Sequence, residues 1–149
     1  MASSLLTLLG TCLVMVIGAQ AAILKFGDMI SYMTERSAVS FLVYGCHCGL
    51  GGKGFPVDDI DWCCHAHDCC YDTLERMGCS PKMKNYHFIR IFGTIICDDK
   101  DLNGCARKTC ECDRTASFCL HKFNSTFSKS KSFNVFRINC RGSKPPCQS

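Results

Sequence analysis

Three stretches of the chain carry apolar or cysteine residues at helical spacing. In the first, AILKFGDMISYM over residues 22–33, Ile23, Phe26, Ile30 and Met33 recur on one face. That stripe has two readings: a core-packing helix, or a helix part of whose stripe lines an entrance for something apolar. The second stretch, WCCHAHDCCYDTLE over Trp62–Glu75, reads as one helix with Asp58 as N-cap, Asp59 and Asp61 as acids in its first turn, and Gly78 at its end. Cys63, His67 and Cys70 share a face there, Tyr71 lies one turn beyond His67, and Asp68 points about 100° round. The third stretch, CDRTASFC over Cys112–Cys119, repeats the seven-residue cysteine spacing. Two antiparallel helices joined through both pairs would link Cys63 to Cys119 and Cys70 to Cys112, setting Asp113 beside the His67 face. A histidine oriented by a carboxylate is suited to general-base work. Residues 86–97, YHFIRIFGTIIC, turn to strand-forming residues interrupted by Gly93 and read as a small hairpin.

Composition narrows the class. Residues 1–21 hold no charged side chain, an apolar run over Leu5–Ile17 and a small-x-small Ala19-Gln20-Ala21. Although the usual leading Lys or Arg is missing, this reads as a signal peptide rather than an anchor, which leaves 22–149 as a single secreted, extracellular domain. Of 15 cysteines only Cys12 falls in the leader. The even remainder in a short secreted chain implies a disulfide framework of up to seven bridges. Metal–thiolate binding is disfavoured, because no clean pair of CxxC motifs is present and residues two apart, such as His65 and His67, do not face each other on a helix. Asp99–Gly104 imitates the start of an EF-hand loop, but Cys110 stands where that loop needs Glu, so a surface turn is expected.

Between the first two helices lies YGCHCGLGGKGFPVDD, residues 44–59. GLGGKG fits GxGxxG formally, yet no strand precedes it and no Ser or Thr follows Lys53, which excludes dinucleotide and P-loop readings. Backbone carbonyls from such a loop, with the Asp68 carboxylate, would suit Ca²⁺. The alternative is a loop shaped only to place Cys46 and Cys48. No GxSxG elbow occurs, so a serine hydrolase is disfavoured. The chain carries net charge +4, and after Asp113 it holds Arg114, Lys122, Lys129, Lys131, Arg137, Arg141 and Lys144 with no acid. That suggests an anionic surface, phospholipid or sulfated glycan; a solvated face is the plainer reading, and nucleic acid is not expected. Asn124-Ser125-Thr126 is a glycosylation sequon.

YGCHCGLGGKG, DWCCHAHDCCY and CECD together resemble the secreted phospholipase A2 family, group II, over essentially all of residues 22–149. His47 within CHCGLGG and the PPC ending are similar to subgroups IID and IIE. The resemblance implies a mainly α, disulfide-rich fold (the phospholipase A2 fold), with an N-terminal helix, a calcium-binding loop, two long antiparallel disulfide-linked helices and a small β-hairpin. It implies His67 as general base, Asp113 as its orienting carboxylate, and Tyr71 and Tyr86 as supporting tyrosines. Ca²⁺ is implied as cofactor on Asp68 and the carbonyls of His47, Gly49 and Gly51; Tyr is common in the family where His47 stands. Lys25 stands where Gln or Asn is common. The resemblance gives the same two interhelical disulfides and adds Cys46–Cys140, Cys48–Cys64, Cys69–Cys147, Cys79–Cys105 and Cys97–Cys110.

The implied activity is that of a phosphatidylcholine 2-acylhydrolase, a carboxylic ester hydrolase acting peripherally on a phospholipid membrane as a monomer. His67 would deprotonate a water that attacks the sn-2 ester, with Ca²⁺ and the Gly49 amide at the oxyanion, releasing fatty acid and lysophospholipid without a covalent intermediate. Ile23, Phe26, Ile30 and Leu50 become expected walls of an acyl channel. Two rivals share the scaffold. One is a catalytically weak or silent homologue that binds heparan sulfate or a cell-surface receptor. The other is a disulfide-rich structural module.

Overall fold

The computed structural model describes residues 23–148, so the leader expected over residues 1–21 lies outside them. Helix α2 runs Asp59–Arg76. Its N-cap is Asp58, in extended backbone, whose carboxylate accepts from the Asp61 amide at 2.9 Å; Asp59 and Asp61 sit in the first turn. Helix α3 runs Cys105–Lys122. Disulfides Cys63–Cys119 and Cys70–Cys112 join the start of α2 to the end of α3 and the reverse, so the two helices are antiparallel. The other five expected pairs also form: Cys46–Cys140, Cys48–Cys64, Cys69–Cys147, Cys79–Cys105 and Cys97–Cys110.

The first helix, α1, covers residues 23–34. Its buried side chains feed two separate cores. Ile30 packs with Phe41, Tyr44, Ile60 and Leu120, whereas Met29 and Met33 pack with Tyr86 and Ile95. The core reading of the stripe therefore holds for Ile30 and Met33, while Ile23 is 56% exposed. A single turn of 3₁₀ helix, Ala38–Phe41, leads into the glycine-rich loop.

The hairpin pairs β1, Phe88–Ile91, with β2, Thr94–Cys97, antiparallel, with Ile91 opposite Thr94. Phe92 and Gly93 make the two-residue turn at φ 45° and 75°, the left-handed pair that matches strand twist. Gly93 adopts this freely, and Phe92 is held there fully exposed. Residues 99–104 form a turn in which the Asp101 carboxylate accepts from the Asn103 amide, as expected of a surface loop. No described helix is long and apolar enough to cross a membrane.

Candidate active site

Helix α2 presents His67 between its two interhelical disulfides, and α3 presents Asp113 opposite. His67 Nε2–H donates to Asp113 Oδ1 at 2.6 Å. The same carboxylate, fully buried, accepts from Tyr71 Oη at 2.8 Å and from Tyr86 Oη at 2.5 Å. Three donors offset the cost of burying a charge there. Both tyrosines are held well above the ordinary phenol range, first by burial and then by the Asp113 charge, so they remain donors across any ordinary pH. Phe26 of α1 stacks on the imidazole, with ring centroids 4.4 Å apart, and Tyr71 lies at 4.4 Å on a tilted plane. The imidazole is thus fixed in plane and tautomer, with 13% of the side chain open to solvent and Nδ1 carrying the free lone pair.

Asp68 projects to another side of α2. Burial raises its pKa, opposed by the nearby His67, Lys144 and His47, and among the described residues no hydrogen bond reaches its carboxylate. The glycine-rich loop is tied to α2 by Cys48–Cys64, and Cys64 lies one turn before Asp68 on the same face. At Gly49, φ is +90°, and a Cβ would lie 1.7 Å from the Leu42 carbonyl oxygen; only glycine fits. Among the described residues, no donor reaches the carbonyls of His47, Gly49 or Gly51. His47 itself is buried, with Nε2 bonded to the Gly54 carbonyl at 2.9 Å and Nδ1 without a partner among the described residues.

The structure thus brings Phe26, His67, Tyr71, Tyr86 and Asp113 into one cluster and sets the loop beside Asp68. Of the other residues expected to line a channel, Ile30 is in the core and Leu50 is 87% exposed on the loop. Lys25 donates to the Tyr86 carbonyl and lies over that ring. Two residues that sequence reasoning gave no part in the loop prove to hold it. Asp61, fully buried, accepts from the amides of Cys46, His47 and Val57 at 2.9, 2.7 and 2.9 Å. Its place among the acids of the first turn carries no mark of that role. Arg137 donates from Nη2 to the carbonyls of Cys48 and Leu50, both at 3.1 Å.

Fold and site together define a small, disulfide-braced helical hydrolase. The chain belongs to the phospholipase A2 family, whose model matches residues 23–132. It is 42% identical to the mouse group IIE secretory phospholipase A2 over 125 residues, covering 84% of this chain and 86% of that one. The human group IID enzyme is 42% identical over 133 residues, covering 89% and 90% respectively. The mouse group IIF enzyme is 39% identical over 133 residues, covering 87% and 76%.

Proposed function

We propose that this chain is a secreted, calcium-dependent phospholipase A2 that hydrolyses the sn-2 ester of glycerophospholipids at a lipid surface. The observation that carries this reading is the His67–Asp113 pair. Nε2–H is committed to Asp113, so Nδ1 is the only ring nitrogen able to take a proton from water. Asp113 holds that tautomer and stabilises the imidazolium formed as water attacks the ester carbonyl. The proton on Nδ1 then goes to the departing alkoxide, giving lysophospholipid and fatty acid. Phe26, stacked on the ring, shields its face from water.

The donor set fits calcium: among the described residues, three loop carbonyls have no internal donor and the half-buried Asp68 carboxylate has no hydrogen-bond partner. Asp68 and the carbonyls of His47, Gly49 and Gly51 would hold the ion. When bound it would polarise the ester carbonyl and stabilise its oxyanion. The sn-2 assignment is tested with vesicles of a phospholipid bearing different acyl chains at its two positions. Mass spectrometry should find only the sn-2 acid released, and release of the sn-1 acid would overturn the assignment.

The basic tail supports an anionic surface less uniformly than its charge suggests. Lys131 pairs with Asp58 at 2.8 Å, Arg114 with Glu111, and Arg137 is turned onto the loop. Lys122, Lys129, Arg141 and Lys144 are exposed. The double variant Lys129→Glu/Arg141→Glu should weaken co-sedimentation with anionic vesicles by roughly tenfold, since each cation near such a surface contributes about 1 kcal/mol. The loss should shrink at high salt. An equal loss on zwitterionic vesicles would contradict the electrostatic reading. The same cations would serve a sulfated glycan such as heparan sulfate. Asn124, the sequon residue, has its carboxamide bonded to the Thr34 carbonyl and to Arg36 within the fold.

A further inference from the structure

Arg137 is an unusual residue for a terminal loop. Its backbone sits at φ 46°, a left-handed conformation that a residue with a Cβ adopts at a cost. Its guanidinium does not extend into water. Nη2 bridges the Cys48 and Leu50 carbonyls, and Nη1 is buried with no partner among the described residues. A charged group that accepts both backbone strain and incomplete solvation is being held in place by something else, and here that is the loop.

The rest of the C-terminal segment is built to deliver it. Asn134 donates its side-chain amide to the Gly45 carbonyl and its backbone amide to the Val43 carbonyl, Cys140 is bonded to Cys46, and the Arg141 carbonyl accepts from the Phe55 amide. Residues 134–141 therefore wrap the glycine-rich loop along its length. The carbonyls of that loop divide into two alternating sets. Those of Cys48 and Leu50 are taken by Arg137; those of His47, Gly49 and Gly51 have no internal donor among the described residues.

We propose that Arg137 is a positioning residue for the cation site: its guanidinium grips the alternate carbonyls, Cys48 and Leu50, and so presets the intervening three as ligands. This rests on the calcium reading above. Simple electrostatics gives the opposite sign, because a positive charge next to a cation site weakens binding and its removal should tighten it. Loss of preorganisation weakens binding instead, and supporting contacts of this kind are typically worth about 10–100-fold in metal affinity.

Arg137→Gly is the informative variant, because glycine takes φ 46° without strain and removes only the side chain. Calorimetric titration of the full secreted chain with calcium, without lipid, should show the dissociation constant raised about tenfold. Arg137→Lys, which keeps a donor cation of similar reach, should recover most of that loss. The unfolding temperature of Arg137→Gly in excess chelator should stay close to the parent value, separating a preset ligand loop from general stability. Unchanged or tighter calcium binding by Arg137→Gly, beside normal binding by the parent, would overturn the clasp alone. A parent that takes up no calcium would overturn the calcium assignment and the clasp with it.

Discussion

Replacing His67 with Gln should lower phospholipid turnover by a factor on the order of 10²–10⁴, the range that a positioned general base supplies. Nε2–H of His67 is held by Asp113, leaving Nδ1 as the proton acceptor. Gln has no basic nitrogen to replace it. Asp113 keeps its Tyr71 and Tyr86 donors in the variant, so the buried charge is not orphaned and the fold should survive. Calcium binding should also survive, because the loop and Asp68 are untouched. The check is steady-state release of fatty acid, with calorimetry for the ion and thermal unfolding for the fold. Turnover at the parent rate would mean that His67 is not the base.

Asp68 should show opposite effects on function and on stability. Asp68→Lys places an ammonium where the ion would sit and should abolish calcium uptake and hydrolysis, an effect that added calcium cannot reverse. Asp68→Asn should abolish or greatly weaken calcium binding but raise the unfolding temperature of the calcium-free protein. The sign follows from the direction of the shift. Burial lifts the Asp68 pKa above its unfolded value, so the folded chain holds that proton more tightly than the unfolded chain. Its contribution to stability is then greatest at pH below the unfolded carboxyl value and is lost as pH rises through the folded one. At neutral pH the ionised carboxylate would be a cost that a bound cation would relieve and that a neutral amide would avoid. Thermal unfolding in excess chelator checks this. A lower unfolding temperature for Asp68→Asn would contradict a carboxylate destabilised by burial.

Much of this architecture was legible because cysteine spacing and helical periodicity constrain each other. Two seven-residue cysteine separations on amphipathic stretches permit one antiparallel pairing, and that pairing carries His67 to Asp113. Gly93 marked the hairpin turn because two-residue turns need left-handed backbone. The other five bridges came from family resemblance, since spacing alone does not select among the many connectivities that fourteen cysteines allow.

What sequence did not disclose is long-range and polar. Asp61 reads as one more acid in a first turn, yet three loop amides converge on it across 4–15 residues of chain. Arg137 and Lys131 read as two members of a basic tail. One is turned onto backbone carbonyls 87 and 89 positions away, and the other onto Asp58, 73 positions away. Charge counting treats such residues as a solvated face, because nothing in their neighbours marks which cations the fold has claimed. The α1 stripe is a similar case. Periodicity put Ile23, Phe26, Ile30 and Met33 on one face, but only tertiary packing separates Ile30 and Met33 in two cores from Phe26 against the imidazole.

The most direct test of the central claim is fatty-acid release from phosphatidylglycerol vesicles, followed first in calcium, then in excess chelator, then after calcium is restored. Release that stops on chelation and resumes on readdition is the predicted result, because among the described residues Asp68 and the three loop carbonyls have no internal partner to take an ion's place. Release that continues undiminished in excess chelator would contradict it.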